Sequence, residues 1–195
     1  MNIDWLRIVV GLKPLPESGE ELYDFVQYAE REHVMGQVAI HHNGNSIGLT
    51  LKNKLENALI RSEHDKRMLM FEANRIERAL MGMDIYPILL KGGAYVITDQ
   101  RAGQGRRVSD LDIMVDECDL RRVENALIMA GWRGDETTNN DYDQAYYRKW
   151  MHELPPMRHQ QRKTLIDVHH RLTPKTARVE LLHKRMRDTA YLIEG

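Results

Sequence analysis

The sequence predicts an α+β fold, in which a small mixed β-sheet is flanked by helices and preceded by an N-terminal helical layer. Three observations predict it. Up to about residue 81 the apolar residues recur at helical spacing; beyond Gly82 they fall into short runs of strand length; and between those runs lie segments of helical pattern.

The helical part begins after a turn cluster of Pro14, Pro16, Glu17, Ser18 and Gly19. The following EELYDFVQYAEREHVMGQVAIHHN places Leu22, Phe25, Val26 and Ala29 on one face, and its His41 and His42 are read as exposed or capping residues. From about Leu49 to Met81, the residues Leu51, Leu55, Ala58, Leu59, Met68, Leu69, Ile76 and Leu80 trace one long helix, or two joined near Ser62, with Gly82 as the stop. Strand-length runs follow at 85–91 (IYPILLK), 107–115 (RVSDLDIMV), 144–151 (QAYYRKWM) and 163–170 (KTLIDVHH). Between them, 93–99 (GAYVITD) and 118–131 (CDLRRVENALIMAG) read as helices, with Asp116, Glu117 and Asp119 expected to cap the second. The tail VELLHKRMRDTAYLIEG reads as helix again. The expected organisation is a helical region at 1–81, an α/β core at 82–175 and a C-terminal helix at 176–195, forming one compact unit.

Composition bounds the function. At 195 residues, 42% apolar and 29% charged, the chain is that of an ordinary globular protein long enough to bury a core. A formal charge of -1 provides no global positive field for a long nucleic acid, so any polyanion site is local, and a small phosphorylated ligand fits best. The single cysteine, Cys118, excludes an intramolecular disulfide and a cysteine-rich zinc site. No run approaches the roughly 20 apolar residues that cross a bilayer. A cytoplasmic protein with no membrane association is expected.

The chemistry is concentrated in SDLDIMV. Asp110 and Asp112, two apart on a strand, present their carboxylates on one face, while Leu111, Ile113 and Val115 point to the other. Two such acids side by side repel unless a cation lies between them, and hard oxygen ligands favour magnesium, with manganese as the alternative. An isolated D-x-D pair is more often a solvated strand end; its surroundings change the balance. Upstream, LLKGG ends a buried strand with Lys91, Gly92 and Gly93 entering a short helix, where backbone N–H groups can approach phosphate. The loop containing Gly103, Gly105, Arg106, Arg107 and Ser109 places flexible backbone and guanidinium groups next to the acids in sequence. In TLIDVHHRL, Asp167 and His169 alternate with Ile166 and Val168, so Asp167 supplies a third carboxylate from a neighbouring strand. His169 and His170 lack a third His or Cys partner for zinc. In WMHELPPM, His152 precedes Glu153 and the Pro155-Pro156 break; it either contacts substrate or closes a strand.

Taken in order, LLKGG, the Gly/Arg loop, RRVSDLDIMV, a helix ending in AGW, HELPP and IDVHHRL resemble the uncharacterised nucleotidyltransferase family, related to the polymerase-beta superfamily of minimal nucleotidyltransferases. The resemblance implies that Gly92-Gly93 contacts phosphate and that Asp110, Asp112 and Asp167 bind metal. Arg106 falls where family members usually have a basic residue shortly before the acid pair, and His152 and His169 fall in later polar motifs as possible substrate contacts; with Arg106, the residues Lys91, Arg107 and Ser109 are expected to bind the nucleotide phosphates. Gly93 and Ala94 stand where the wider superfamily carries a serine, which removes one phosphate-binding hydroxyl. Family members commonly continue into a further helical region, so the acceptor site is left to a partner subunit or a second copy.

The implied function is magnesium-dependent transfer of a nucleoside monophosphate from a nucleoside triphosphate such as ATP to an acceptor, with release of pyrophosphate. The acceptor, whether a small molecule, peptide, protein or RNA end, is not legible. Two rival readings share these residues: a non-catalytic nucleotide-binding or regulatory module, and a metal-dependent phosphohydrolase.

Overall fold

The computed structural model describes residues 3–17, 19–42, 47–135, 140–178 and 183–193. In chain order these form α1 (Ile3–Val9), α2 (Gly19–Arg31), α3 (Met35–His42), α4 (Leu49–Leu80), β1 (Ile88–Leu89), α5 (Lys91–Ile97) and β2 (Asp110–Met114). A 3₁₀ turn at Glu117–Asp119 leads into α6 (Leu120–Met129), followed by β3 (Trp132–Gly134), α7 (Asp141–Trp150), β4 (Met157–His159), β5 (Leu165–His169) and α8 (His183–Asp188). The expected α+β class is observed. Ser18 of the turn cluster, Asn43 and residues 179–182 of the expected tail helix lie outside the described residues.

The chain divides into two compact units, each assembled from two stretches: residues 1–68 with 95–108, and residues 69–94 with 109–195. The first is helical. Its core gathers Ile8, Phe25, Ala29, Val38, Ala39 and Leu55, none more than 1% exposed, with Trp5 edge-on to Phe25 at 6.3 Å between ring centroids. Full burial of such side chains contributes roughly 1.5–3 kcal/mol each. His42 is buried in this core and bonds the Ile8 carbonyl through Nε2 at 2.8 Å, so it is neither exposed nor a cap. The polar ring is retained because a local carbonyl satisfies it. The expected helix from Leu49 runs unbroken to Leu80; Ser62 folds its hydroxyl back onto the Leu59 carbonyl at 2.9 Å and does not interrupt it.

The glycines of the 101–107 loop have packing roles within this unit. A Cβ on Gly103 would lie 2.3 Å from the Tyr95 carbonyl oxygen, and one on Gly36 would lie 2.1 Å from that of Gly105. Only glycine permits this backbone approach.

The second unit holds a five-stranded sheet of order β1-β2-β5-β4-β3. Central β2 and β5 are parallel, with Asp112 opposite Asp167, and the other pairings are antiparallel. Strand alternation leaves Leu111, Ile113, Ile166 and Val168 on one face, all at most 2% exposed. The carboxylates take the other. β1 is only two residues of the expected 85–91 strand, since Pro87 has no N–H to give the ladder. The pairing extends one residue further through the Leu90 N–H to the Asp112 carbonyl at 2.9 Å.

The 144–151 run is helix, not strand. Asn140 caps α7 by accepting the Asp143 N–H at 2.9 Å, Asp141 and Asp143 occupy the first turn, and Arg148 and Lys149 the last. Cap and charge placement suit the helix dipole and override the strand preference of the tyrosines. Asp119 occupies the N-cap position of α6 and Asp116 that of the preceding 3₁₀ turn, but neither side chain makes a cap hydrogen bond. Asp116 pairs with Arg187, Glu117 with Lys175 and Arg171, and Asp119 with Arg122.

A register slip sets the line of β4. Between the Met157–Ile166 pair and the Glu153–His169 bridge, one strand advances four residues while β5 advances three. The extra residue is a bulge at Pro155-Pro156. Bulging puts Leu154 into the core, at 4% exposure, and brings Glu153 opposite His169 on the acid face.

Candidate active site

The acid face of β2 and β5 collects Asp110, Asp112 and Asp167, with one carboxylate oxygen of each within 4.8 Å of the others. Parallel pairing in register explains this: Asp112 lies directly opposite Asp167, and Asp110 shares the face two residues earlier. Asp110 and Asp167 are half-buried and Asp112 is 4% exposed.

Asp112 is the most tightly held of the three. Its Oδ1 accepts from Lys91 Nζ at 2.6 Å and from His169 Nε2 at 2.9 Å. Burial alone would raise its proton affinity, but the two donors outweigh burial and keep the carboxyl below its ordinary range. Lys91 sits at the junction of β1 and α5 with a left-handed backbone, φ 48°, a conformation costly for a side chain other than glycine. This turn carries its ammonium to Asp112. Burial there lowers its proton affinity, but the bond to Asp112 and the charges of Glu153 and Asp167 raise it overall. The next residues, Gly92 and Gly93, are buried, and a Cβ on Gly93 would lie 2.8 Å from Leu111 Cδ1.

Asp167 differs from Asp112. Burial, then the negative charges of Glu153, Asp112 and Asp110, push its carboxyl up to about 6. A carboxylate with that proton affinity sits where a group can either bind a cation or accept a proton near neutrality. Four carboxylates, including Glu153, thus face Lys91 and His169, and an all-oxygen set with unbalanced negative charge fits a hard divalent cation.

His169 is 1% exposed and contacts a carboxylate at each nitrogen: Asp112 through Nε2, and Glu153 Oε2 through Nδ1 at 3.0 Å. The His152 ring lies 5.2 Å from it between centroids, with Nε2 3.7 Å from Glu153, and its Nδ1 is buried without a hydrogen-bond partner among the described residues. Burial, followed by the nearby positive groups, lowers the proton affinity of His152 against the opposing charge of Glu153. His170 is turned away toward Glu117, its Nδ1 3.8 Å from that carboxylate, and burial brings it down to about 4.

Ser109 is exposed, with its hydroxyl 3.3 Å from Asp110 Oδ1. Arg106 and Arg107 belong to the helical unit; both are exposed, and Arg107 pairs with Asp65 at 2.6 Å. Sequence reading gave Glu153 no role, although the Pro-Pro pair behind it is the mark of a bulge. It also missed Tyr147 on α7, whose phenol keeps its proton more firmly because of burial and then the charges of Glu153 and Asp167.

Fold and site together define an α+β protein whose mixed sheet offers three convergent carboxylates, able to hold a metal ion, beside a lysine. More narrowly, the chain is a member of the uncharacterised nucleotidyltransferase family, whose sequence profile matches residues 19–194. No curated protein and no solved structure matches it significantly. Membership supports a general role in nucleotidyl transfer.

Proposed function

We propose that the protein transfers a nucleoside monophosphate group from a nucleoside triphosphate to an acceptor hydroxyl or similar nucleophile, using magnesium, or manganese in its place. The observation that carries this reading is the convergence of Asp110, Asp112 and Asp167 oxygens within 4.8 Å on one sheet face. Asp110 and Asp112 hold the cation, and Asp167 completes the set. A divalent ion there supplies charge neutralisation on the triphosphate oxygens during in-line attack at the α-phosphorus.

The chain's own groups do the rest. Asp167, on the same sheet face as Asp112, takes the acceptor's proton as the new O–P bond forms and the bond to pyrophosphate breaks. Lys91, whose ammonium lies at Asp112, would bind the phosphates, aided by Ser109 and by the backbone at Gly92 and Gly93. His152, on the rim of the acid cluster, contacts substrate.

Calorimetric titration of ATP, GTP, CTP and UTP, with and without magnesium, tests this on wild type and on an Asp110→Ala/Asp112→Ala double variant. Magnesium-dependent binding lost in the double variant, together with pyrophosphate release in wild type, is expected. Binding without pyrophosphate release under any acceptor would instead identify a nucleotide-binding module, and release of inorganic phosphate a phosphohydrolase.

A further inference from the structure

We infer that Glu153 and His169 are positioning residues for Asp112, holding its carboxylate so that Oδ2 remains the oxygen offered to a cation. The inference rests on the cation reading above and assigns a role to two residues that need not touch the substrate.

A buried aspartate that binds a cation has to present one oxygen in a fixed direction, although rotation about χ2 exchanges the two. Here Oδ1 is already occupied by His169 Nε2 at 2.9 Å and Lys91 Nζ at 2.6 Å. Lys91 holds it from the solvent side, its side chain being 57% exposed. His169, at 1% exposure, holds it from the buried side, and Glu153 Oε2 at 3.0 Å from Nδ1 fixes the ring in turn. A histidine with both nitrogens engaged by carboxylates has none left for a substrate atom, so the substrate contact expected of His169 gives way to a role exerted through Asp112.

The backbone supports the same role. Were the four residues from Glu153 to Met157 paired regularly, with no bulge at Pro155-Pro156, strand alternation would turn Glu153 toward the core and put Leu154 on the acid face. The Leu154 N–H to the Val168 carbonyl at 2.9 Å and the His170 N–H to the His152 carbonyl at 2.8 Å hold the segment on either side of Glu153 against β5. The bulge thus delivers a carboxylate to the one ring that touches Asp112. Partners of this kind, one step behind a ligand, orient it and tune its affinity for the cation.

The test is Mn²⁺ binding to the full chain, read from the electron paramagnetic resonance signal of free Mn²⁺, with a melting curve for each variant. Wild type is expected to bind and Asp112→Asn to lose binding. Glu153→Gln should melt cooperatively, yet bind on the order of 10–100-fold more weakly. His169→Gln, whose amide nitrogen can replace Nε2 against Asp112, should retain more affinity than His169→Leu. Wild-type affinity in Glu153→Gln would overturn the inference while leaving the cation reading intact, as would equal losses in His169→Gln and His169→Leu. Binding kept in Asp112→Asn but lost in Glu153→Gln would overturn it in favour of a separate His152–Glu153–His169 site. Absence of Mn²⁺ binding in wild type would overturn the inference and the cation reading together. Where His169→Leu fails to fold, Glu153→Gln decides.

Discussion

The two units treat buried polarity in opposite ways. In the helical unit the buried polar side chains among the described residues are His42 and Ser62, each bonded to a backbone carbonyl. In the sheet unit they are Glu72, Asp112, Asp135, His159, His169 and His170, all ionisable. Burying charge costs several kcal/mol unless it is matched, so the way each group is matched separates structure from chemistry. Glu72 receives two bonds from Arg162, at 2.6 and 2.9 Å, and Asp135 receives Arg158 at 2.6 Å. These pairs are closed, in that an arginine meets each carboxylate directly. The cluster around Asp112 is open, with four carboxylates facing one lysine and one histidine. A shortage of positive charge, rather than burial itself, distinguishes the cluster that could hold a cation.

That comparison can be broken at four points. The largest effect is expected in the helical unit: Phe25→Ala empties a site that is 0% exposed and should cost about 3–5 kcal/mol in urea denaturation. The loss should be the same at pH 5 and pH 8, because no titratable group matches Phe25.

Next, Glu72→Ala leaves the Arg162 guanidinium uncompensated beside Phe71 and Trp132 and should cost about 3 kcal/mol. Mn²⁺ binding should be unchanged in the folded variant. A loss of cation binding there would erase the distinction between closed and open pairs.

Third, Asp167→Asn should stabilise the cation-free protein by at most about 3 kcal/mol near pH 7.5 while weakening Mn²⁺ binding. Its folded carboxyl is raised to about 6, so its stabilising contribution is complete below the unfolded value near 3.8 and is lost as pH rises through about 6. His170 has the opposite sign. Lowered to about 4, it contributes stability that is complete above its ordinary 6.5 and is lost as pH falls through about 4. The two slopes oppose each other in wild type, and denaturation across pH 4–7 should show stability rising more steeply with pH once Asp167 is gone. A destabilised Asp167→Asn at pH 7.5 would contradict the charge shortage.

The smallest effect is expected for Arg107→Ala, which breaks an exposed pair with Asp65 and should cost under about 1 kcal/mol, less still at high salt.

Much of this was legible along the chain. The helical spacing from Leu49 to Leu80 and the alternation in SDLDIMV and TLIDVHH identify the elements, because local periodicity records which face is buried. The same alternation put Asp110 and Asp112 on one face. α7 was misread because its tyrosines favour strand, while the deciding signal, Asn140 ahead of two acids, is a cap. β1 shrank at Pro87, and the acids at 116–119 make ion pairs rather than cap hydrogen bonds, with partners, Arg187 and Lys175 among them, that are distant in sequence.

The sequence by itself determined the α+β class, the apolar and acidic faces of the two central strands, and the family. Each depends on neighbours within a few residues, or on motifs that local order preserves. Tertiary structure alone decided that Asp112 and Asp167 lie in register, that Lys91 and His169 share one oxygen of Asp112, and that a one-residue bulge aims Glu153 at His169. Register and bulge position arise from the pairing of strands more than 50 residues apart in the case of β2 and β5. A one-residue slip in such pairing reverses every side chain, so no local pattern fixes it.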